Sequence, residues 1–313
     1  MSQLISSVSP HFFSRRTTRT IMLDVIIALM PAAIASVIHF GWRSLLVIGI
    51  CVAGCVLSEF LFEKLCKREN TIGDLSAIVT GLLLAYNLPV TIPLWQAVFG
   101  SVVAVIVVKQ LFGGIGQNFA NPAVTARIVM MTAFSGSMTH WVYGGNAWVS
   151  DTVSSATPLA AAAKGSVDFM PSYLDLFLGR HAGCLGETCA LALLLGGIYL
   201  LVRRVITWHA PVCFVGVVAL MSLLCGKDVL YQLLSGGLLL GAIFMATDYA
   251  TTPSTKWGKV IFGCGCGLIT VLIRFWGNLP EGVSFSILIM NIFTPYITKL
   301  TRSKPLTGGV KPS

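Results

Sequence analysis

Ile21-Met-Leu-Asp-Val-Ile-Ile-Ala-Leu-Met-Pro-Ala-Ala-Ile-Ala-Ser-Val-Ile-His-Phe40 is a run of 20 residues with a single formal charge, at Asp24. A hydrocarbon core about 30 Å thick is crossed by roughly 20 residues of α-helix, so this run has the length of one membrane span. The rest of the chain repeats the pattern. Of 313 residues, 55% are hydrophobic and 11% charged, and the mean hydropathy is +0.83, whereas soluble domains are roughly 25% charged. A soluble globular enzyme is therefore excluded. Transmembrane barrels read as short alternating segments, and these runs are continuous, so the expected class is an all-α polytopic membrane protein.

Cutting the chain at charges and at Gly, Pro and Asn clusters predicts ten spans: 21–40, 44–63, 74–90, 93–112, 122–136, 187–202, 210–225, 229–247, 257–273 and 284–298. The expected organisation is one membrane domain over 1–313. It has an N-terminal segment 1–20, a first five-helix half 21–136, a polar loop 137–186, a second five-helix half 187–298 and a tail 299–313. With the N-terminus inside, sixteen Lys and Arg residues, Arg127 among them, fall on the inner face. Five, namely Arg43, Lys164, Arg180, Lys227 and Arg274, fall on the outer face. That bias places both termini in the cytoplasm and 137–186 outside. The first 20 residues are polar and basic and the following run is long enough to span, so no cleavable signal peptide is expected.

Five spans on each side of the loop suit a duplication with inverted halves. Thr80-Gly-Leu-Leu-Leu-Ala in the third span resembles Gly236-Gly-Leu-Leu-Leu-Gly in the eighth, and a polar, Pro-ended stretch follows each. The net charge of +9 is scattered between apolar runs rather than gathered in a patch, so no nucleic-acid partner is expected. Six of the nine cysteines lie inside apolar segments as small hydrophobes. Cys264-Gly-Cys266 lacks metal-clamp spacing, and no metal site is expected. Whether Cys184 and Cys189 pair is left open.

Charge inside a membrane is costly and therefore informative. Asp248 lies in Met245-Ala-Thr-Asp-Tyr-Ala-Thr-Thr-Pro253, where hydroxyls and a proline interrupt a helix end. It is a candidate for an ion path, against the ordinary reading of a helix-end acid. Asp24 and Asp74 read more simply as first-turn acids complementing a helix dipole. In Gly113-Gly-Ile-Gly-Gln-Asn-Phe-Ala-Asn-Pro-Ala123, Asn121 reads as the N-cap and Pro122 as the first helical residue of the fifth span. With Asn118 this stretch makes either a cofactor cradle or a plain loop. In the outer segment, Asp151-Thr-Val-Ser-Ser-Ala-Thr-Pro-Leu-Ala-Ala-Ala-Ala-Lys164 reads as a short helix capped by Thr157, with Pro158 first. The same start would suit a phosphate attached to the Thr157 hydroxyl.

Asp151-x-x-Ser154-x-Ala156-Thr157 resembles the flavinylation motif of ion-pumping respiratory complexes, with Thr152 and Ser155 where glycine is common. Ser9-Pro-His11, Ala28-Leu-x-Pro31, Thr80-Gly-Leu-Leu-Leu-Ala, Gly113-Gly-Ile-Gly-Gln-Asn, Asn121-Pro-Ala123, Ala246-Thr-Asp248, Gly282-Val-x-Phe285 and Met290-Asn291 extend the likeness from residue 9 to residue 291. Together they are similar to the family that contains the D subunit of the Rnf complex and the B subunit of sodium-pumping NADH:quinone reductase, and the short N-terminus is nearer to the former. The resemblance implies a subunit of a translocase coupling ferredoxin:NAD electron transfer to Na⁺ or H⁺ export. This subunit would carry electrons, with no catalytic residue of its own for NAD. It implies FMN joined through its phosphate to Thr157 by a flavin transferase, with a second, non-covalent flavin such as riboflavin deeper in. Asn118 and Asn121 are candidates for that second flavin. Implied partners are the A, B, C, E and G subunits, above all the flavin-bearing G and the C subunit, in the bacterial inner membrane. The rival reading is a ten-helix secondary transporter or channel without a redox cofactor, which accounts for the architecture but not for the motif.

Overall fold

The computed structural model describes residues 16–142, 157–159, 171–277 and 281–302. Among these residues the regular structure is helical. Four helices are long and apolar enough to cross a membrane: α1 (Thr18–Phe40), α2 (Trp42–Leu65), α12 (Lys256–Trp276) and α13 (Val283–Thr301). Shorter apolar helices are α3 (Ser76–Tyr86), α4 (Leu94–Gln110), α5 (Pro122–Ala133), α8 (Ala190–Val202) and α9 (His209–Leu224). The remainder are α6 (Ser135–Met138), α7 (Tyr173–Leu178), α10 (Val229–Leu234) and α11 (Leu238–Leu240), the last running into a π-wound turn, Gly241–Met245.

Local chemistry sets most of these boundaries. The Thr17 hydroxyl accepts the Thr20 N–H at the start of α1. Asp74 Oδ1 accepts both the N–H and the hydroxyl of Ser76, at 2.7 and 2.6 Å, so α3 begins at Ser76 and Asp74 acts as a helix-start acid. Asp24 does not. It lies a full turn beyond the first turn of α1 and accepts from Tyr199 (3.1 Å) and Arg203 (3.3 Å) at the end of α8, so it ties two helices together instead of complementing a dipole.

Helix occupies each of the ten intervals expected from the sequence, but the eighth is interrupted. After α10 the chain is extended at Ser235 and turns through Gly236 at φ +70° before α11 begins. That left-handed backbone is open to glycine at little cost and strains other residues.

α1 packs on α8, α2 on α3 and α4, α9 on α12, α12 on α13, and α5 on α13. At the α2–α3 crossing the backbones meet so closely that a Cβ on Gly81 would stand 2.7 Å from the Val52 Cα. The outward face of α1 is apolar along its length. Leu23, Ile27, Met30, Ile34 and Ile38 recur at helical spacing and are between 44% and 64% exposed. Such a stripe is unfavourable in water and suits acyl chains, whereas several charged side chains, Lys109 and Arg274 among them, turn inward.

Two of those inward charges sit at matching ends of α4 and α12. Lys109, on the π-wound last stretch of α4, donates to Glu59 Oε1 of α2 (2.8 Å) and to Ser76 Oγ (2.6 Å). Arg274, near the end of α12, donates to the Gln232 carbonyl (2.7 Å).

Candidate functional site

A cavity of about 410 Å³ opens where α1, α3 and α5 begin. This volume suits a small organic cofactor. Its walls are largely apolar, with Met22, Val25, Leu83 and Phe244 among them, and polar side chains such as Thr80, Lys109, Asn118 and Asp248 complete the lining. Asn118 and Asn121 from one stretch of sequence and Asp248 from another all line it.

Asn121 does two things. Its Oδ1 accepts the N–H groups of Ala123 (3.1 Å) and Val124 (3.3 Å), capping α5 as the Asn-Pro pair predicts, and its Nδ2 reaches the Met245 carbonyl (3.4 Å). Asn118 Nδ2 donates to the Ala120 carbonyl (3.0 Å), which folds the glycine-rich loop onto itself. Asp248 accepts from the Thr251 hydroxyl at 3.1 Å and from the Ala250 N–H at 3.4 Å, so the acid is gathered into its own turn at the mouth. The Asn291 amide, in the orientation that satisfies both its atoms, accepts the Asn121 N–H (3.1 Å) and donates to the Thr251 carbonyl (3.2 Å). One α13 side chain thus joins the start of α5 to the Asp248 turn. Lys109 and Ser76 form another part of the wall, with Glu59 fully buried behind them.

Thr157 lies elsewhere. Of the flavinylation motif, Asp151, Ser154 and Ala156 fall outside the described residues, whereas Thr157 is described and 4% exposed, with Pro158 and Leu159 helical after it. The Tyr231 hydroxyl of α10 donates to the Pro158 carbonyl (3.1 Å). Leu159 sits against Gly236, where a Cβ would come within 2.6 Å of Leu159 Cδ1 and 3.1 Å of Arg274 Nη2. The segment is therefore seated on the break between α10 and α11 and on the end of α12.

Sequence reasoning missed a buried polar cluster. Arg127 Nη1 donates to Asn87 Oδ1 (2.7 Å), Nη2 pairs with Glu281, and Glu187 Oε2 stands 4.0 Å away. The charge count assigned Arg127 to the inner face, but α5 carries it to Asn87 at the far end of α3, opposite to the end that lines the cavity. It is a buried cation held by acids of the bundle interior. Its partners lie up to 154 residues away in sequence, so no local pattern announces them. The one signal was a lone arginine inside an apolar span. Burial holds the neighbouring His181 imidazole down to about 4, so it is neutral in ordinary conditions. Cys184 and Cys189 are both free thiols.

The helical bundle, the apolar outward stripe of α1 and the four long apolar helices define an integral helical membrane protein. The model of the NQR2, RnfD, RnfE family matches residues 5–307, and the chain belongs to that family. It is 47% identical over 303 residues to the D subunit of the Na⁺-translocating ferredoxin:NAD⁺ oxidoreductase complex of Acetobacterium woodii, a match covering 96% of this chain and 94% of that protein. The D subunit of the proton-translocating ferredoxin:NAD⁺ oxidoreductase complex of Clostridium ljungdahlii is 39% identical over 311 residues, covering 95% and 94%. The D subunit of the ion-translocating oxidoreductase complex of a strain of Escherichia coli is 36% identical over 339 residues, covering 95% and 96%.

Proposed function

We propose that this chain is the D subunit of a membrane complex that couples electron transfer between ferredoxin and NAD to the export of Na⁺ or H⁺. In this reading it carries electrons between two flavins, FMN esterified through its phosphate to Thr157 and a non-covalent flavin, such as riboflavin, in the 410 Å³ cavity. Bound there, the flavins supply one- and two-electron chemistry, and the chain's own residues position them and set their surroundings. The observation that supports the reading is spatial: the Thr157 segment is seated against Tyr231, Gly236 and the Arg274 end of α12, and none of these lines the cavity that Asn118, Asn121 and Asp248 share.

The cavity fits an isoalloxazine in kind. Met22, Val25, Leu83 and Phe244 would hold the flat ring and exclude water, and Asn118 and Asn121 line the same cavity. The Thr157 hydroxyl would receive the phosphate on the side reached by the flavin transferase and by the G subunit. Asp248, beside the cavity, would hold the exported cation or proton at the inner mouth. The A, B, C and E subunits would complete the complex.

The proposed topology has ten spans in two inverted halves, with both termini in the cytoplasm and 137–186 outside. Support comes from the paired cations. Ser76, the Lys109 partner, stands four residues before Thr80-Gly-Leu-Leu-Leu-Ala, and Gln232, the Arg274 partner, stands four before Gly236-Gly-Leu-Leu-Leu-Gly. In each half a cation near the end of a helix thus contacts a residue four positions before the matching run.

In-gel flavin fluorescence of the chain expressed with the transferase, beside Thr157→Ala, tests the attachment. A fluorescent wild-type band and a dark variant band are expected. Equal darkness of both, with the transferase active on another substrate, rejects it.

A further inference from the structure

Arg274 is buried, and each of its hydrogen bonds goes to a neutral acceptor. Nη1 donates to the Gln232 carbonyl (2.7 Å) and Gln232 Oε1 (3.3 Å), and Nη2 donates to the Ser235 carbonyl (3.3 Å). Its Nε is buried with no partner among the described residues, and none of the ion pairs there includes it. A buried guanidinium without a contacting anion is an expensive arrangement.

Lys109 shows how the first half solves the same problem, by receiving Glu59 from α2 at 2.8 Å. In the second half α9 packs on α12 as α2 packs on α4, but α9 contains no acidic residue. Glu281 and Glu187 act on Arg274 electrostatically, yet both face Arg127. Among the described residues the Arg274 charge is thus held in place by carbonyls, with one N–H left over and no counter-ion in contact.

What adjoins it is the Thr157 segment. Leu159 and Arg274 Nη2 flank the same bare glycine, Gly236, and Tyr231 fastens Pro158 to α10. We propose that Arg274 is the counter-ion and positioning residue for the phosphodiester carried on Thr157, a role that rests on the flavin attachment proposed above. A phosphodiester brings one negative charge and two free oxygens, and guanidinium–phosphate hydrogen bonds are among the strong ones. Gln232 and Ser235 hold the guanidinium before the ester forms, so the anion finds its partner already ordered. The same positive charge, fixed near the attached flavin, favours the electron-rich reduced form and raises its potential.

Two arms test this in the full chain. In the first, Arg274→Gln and Arg274→Lys are expressed with the transferase, and covalent flavin per chain is read by intact mass, with flavin anisotropy and midpoint potential measured on what attaches. Arg274→Gln is expected to slow attachment roughly tenfold, the scale of one charged hydrogen bond. It should also loosen the attached flavin and lower its potential, and Arg274→Lys should restore part of each. Wild-type attachment, anisotropy and potential in a stable Arg274→Gln chain overturn the proposal.

The second arm needs no flavin. Thr157→Glu and Thr157→Gln are compared for thermal unfolding in detergent, each with Arg274 and with Arg274→Gln. Glutamate at 157 is expected to raise Tm over glutamine only when Arg274 is present. An equal difference in both backgrounds overturns the anion-binding role, and an unmodified Thr157 in the wild type rejects the attachment reading separately.

Discussion

Glu59 is a carboxylate with no exposed surface, and it is tolerable because Lys109 and the Gln110 amide both donate to it, at 2.8 and 2.9 Å. Removing one partner of such a pair strands the other. Glu59→Gln is therefore expected to cost about 3–5 kcal/mol, read as a lowered unfolding temperature in detergent, with Glu59→Gln/Lys109→Met recovering much of it. Asp248 makes a different prediction, since its hydrogen bonds stay within its own turn. Asp248→Asn should leave the fold and the proposed covalent FMN in place while slowing or uncoupling ion transport by the complex. Unchanged ion-dependent activity would return Asp248 to an ordinary helix-end acid. His181 adds a pH dependence. Its folded value of about 4 lies below the ordinary 6.5, so the unfolded chain binds the extra proton between those values. Stability from burying the neutral ring is fully present above pH 6.5 and falls as pH drops toward 4. His181→Phe should flatten unfolding temperature across that window. Among single residues, legibility followed side-chain type. Asn118, Asn121 and Asp248 stood out as polar groups breaking apolar sequence, and the structure brings them to one cavity. Arg127 was equally visible, but its partners come from distant segments, so its sequence neighbourhood could not reveal that it is buried.

Helix boundaries were the most readable feature, because long apolar runs and caps such as Asn121-Pro122 act locally. The interruption between α10 and α11 was not read from them. Leu-Leu-Ser-Gly-Gly-Leu-Leu is apolar enough to continue a span, and the break at Gly236 goes with the seating of Pro158 on Tyr231 and of Leu159 against that glycine. Gly236→Ala should be damaging twice, through its positive φ and through the encounter of its methyl with Leu159. The expected outcome is a lower covalent flavin content, read by intact mass, in a chain that still inserts. Gly49→Ala, where nothing lies within 4 Å, should leave flavin content unchanged. Equal effects of the two would mean that the α10–α11 turn does not position Thr157.

Across the whole molecule, a share of the sparse charges lies inside the bundle, where eight charged side chains are buried among the described residues. Glu59 with Lys109 and Arg127 with Glu281 are buried pairs between helices, and the outward stripe of α1 is left to lipid. This is why composition alone was sufficient to exclude a soluble enzyme, and why counting charges by side could misplace Arg127. If one bundle carries two flavins at separate sites, one covalent and one not, the two must part company when the chain unfolds. Flavin analysis of the purified chain before and after denaturation, with intact mass of wild type and Thr157→Ala, makes that separation visible. One flavin should be released on denaturation and one retained as FMN on Thr157, with only the retained flavin lost in Thr157→Ala. A wild-type chain from a transferase-bearing strain with Thr157 unmodified, or a variant that still retains covalent flavin, would refute the two-flavin bundle.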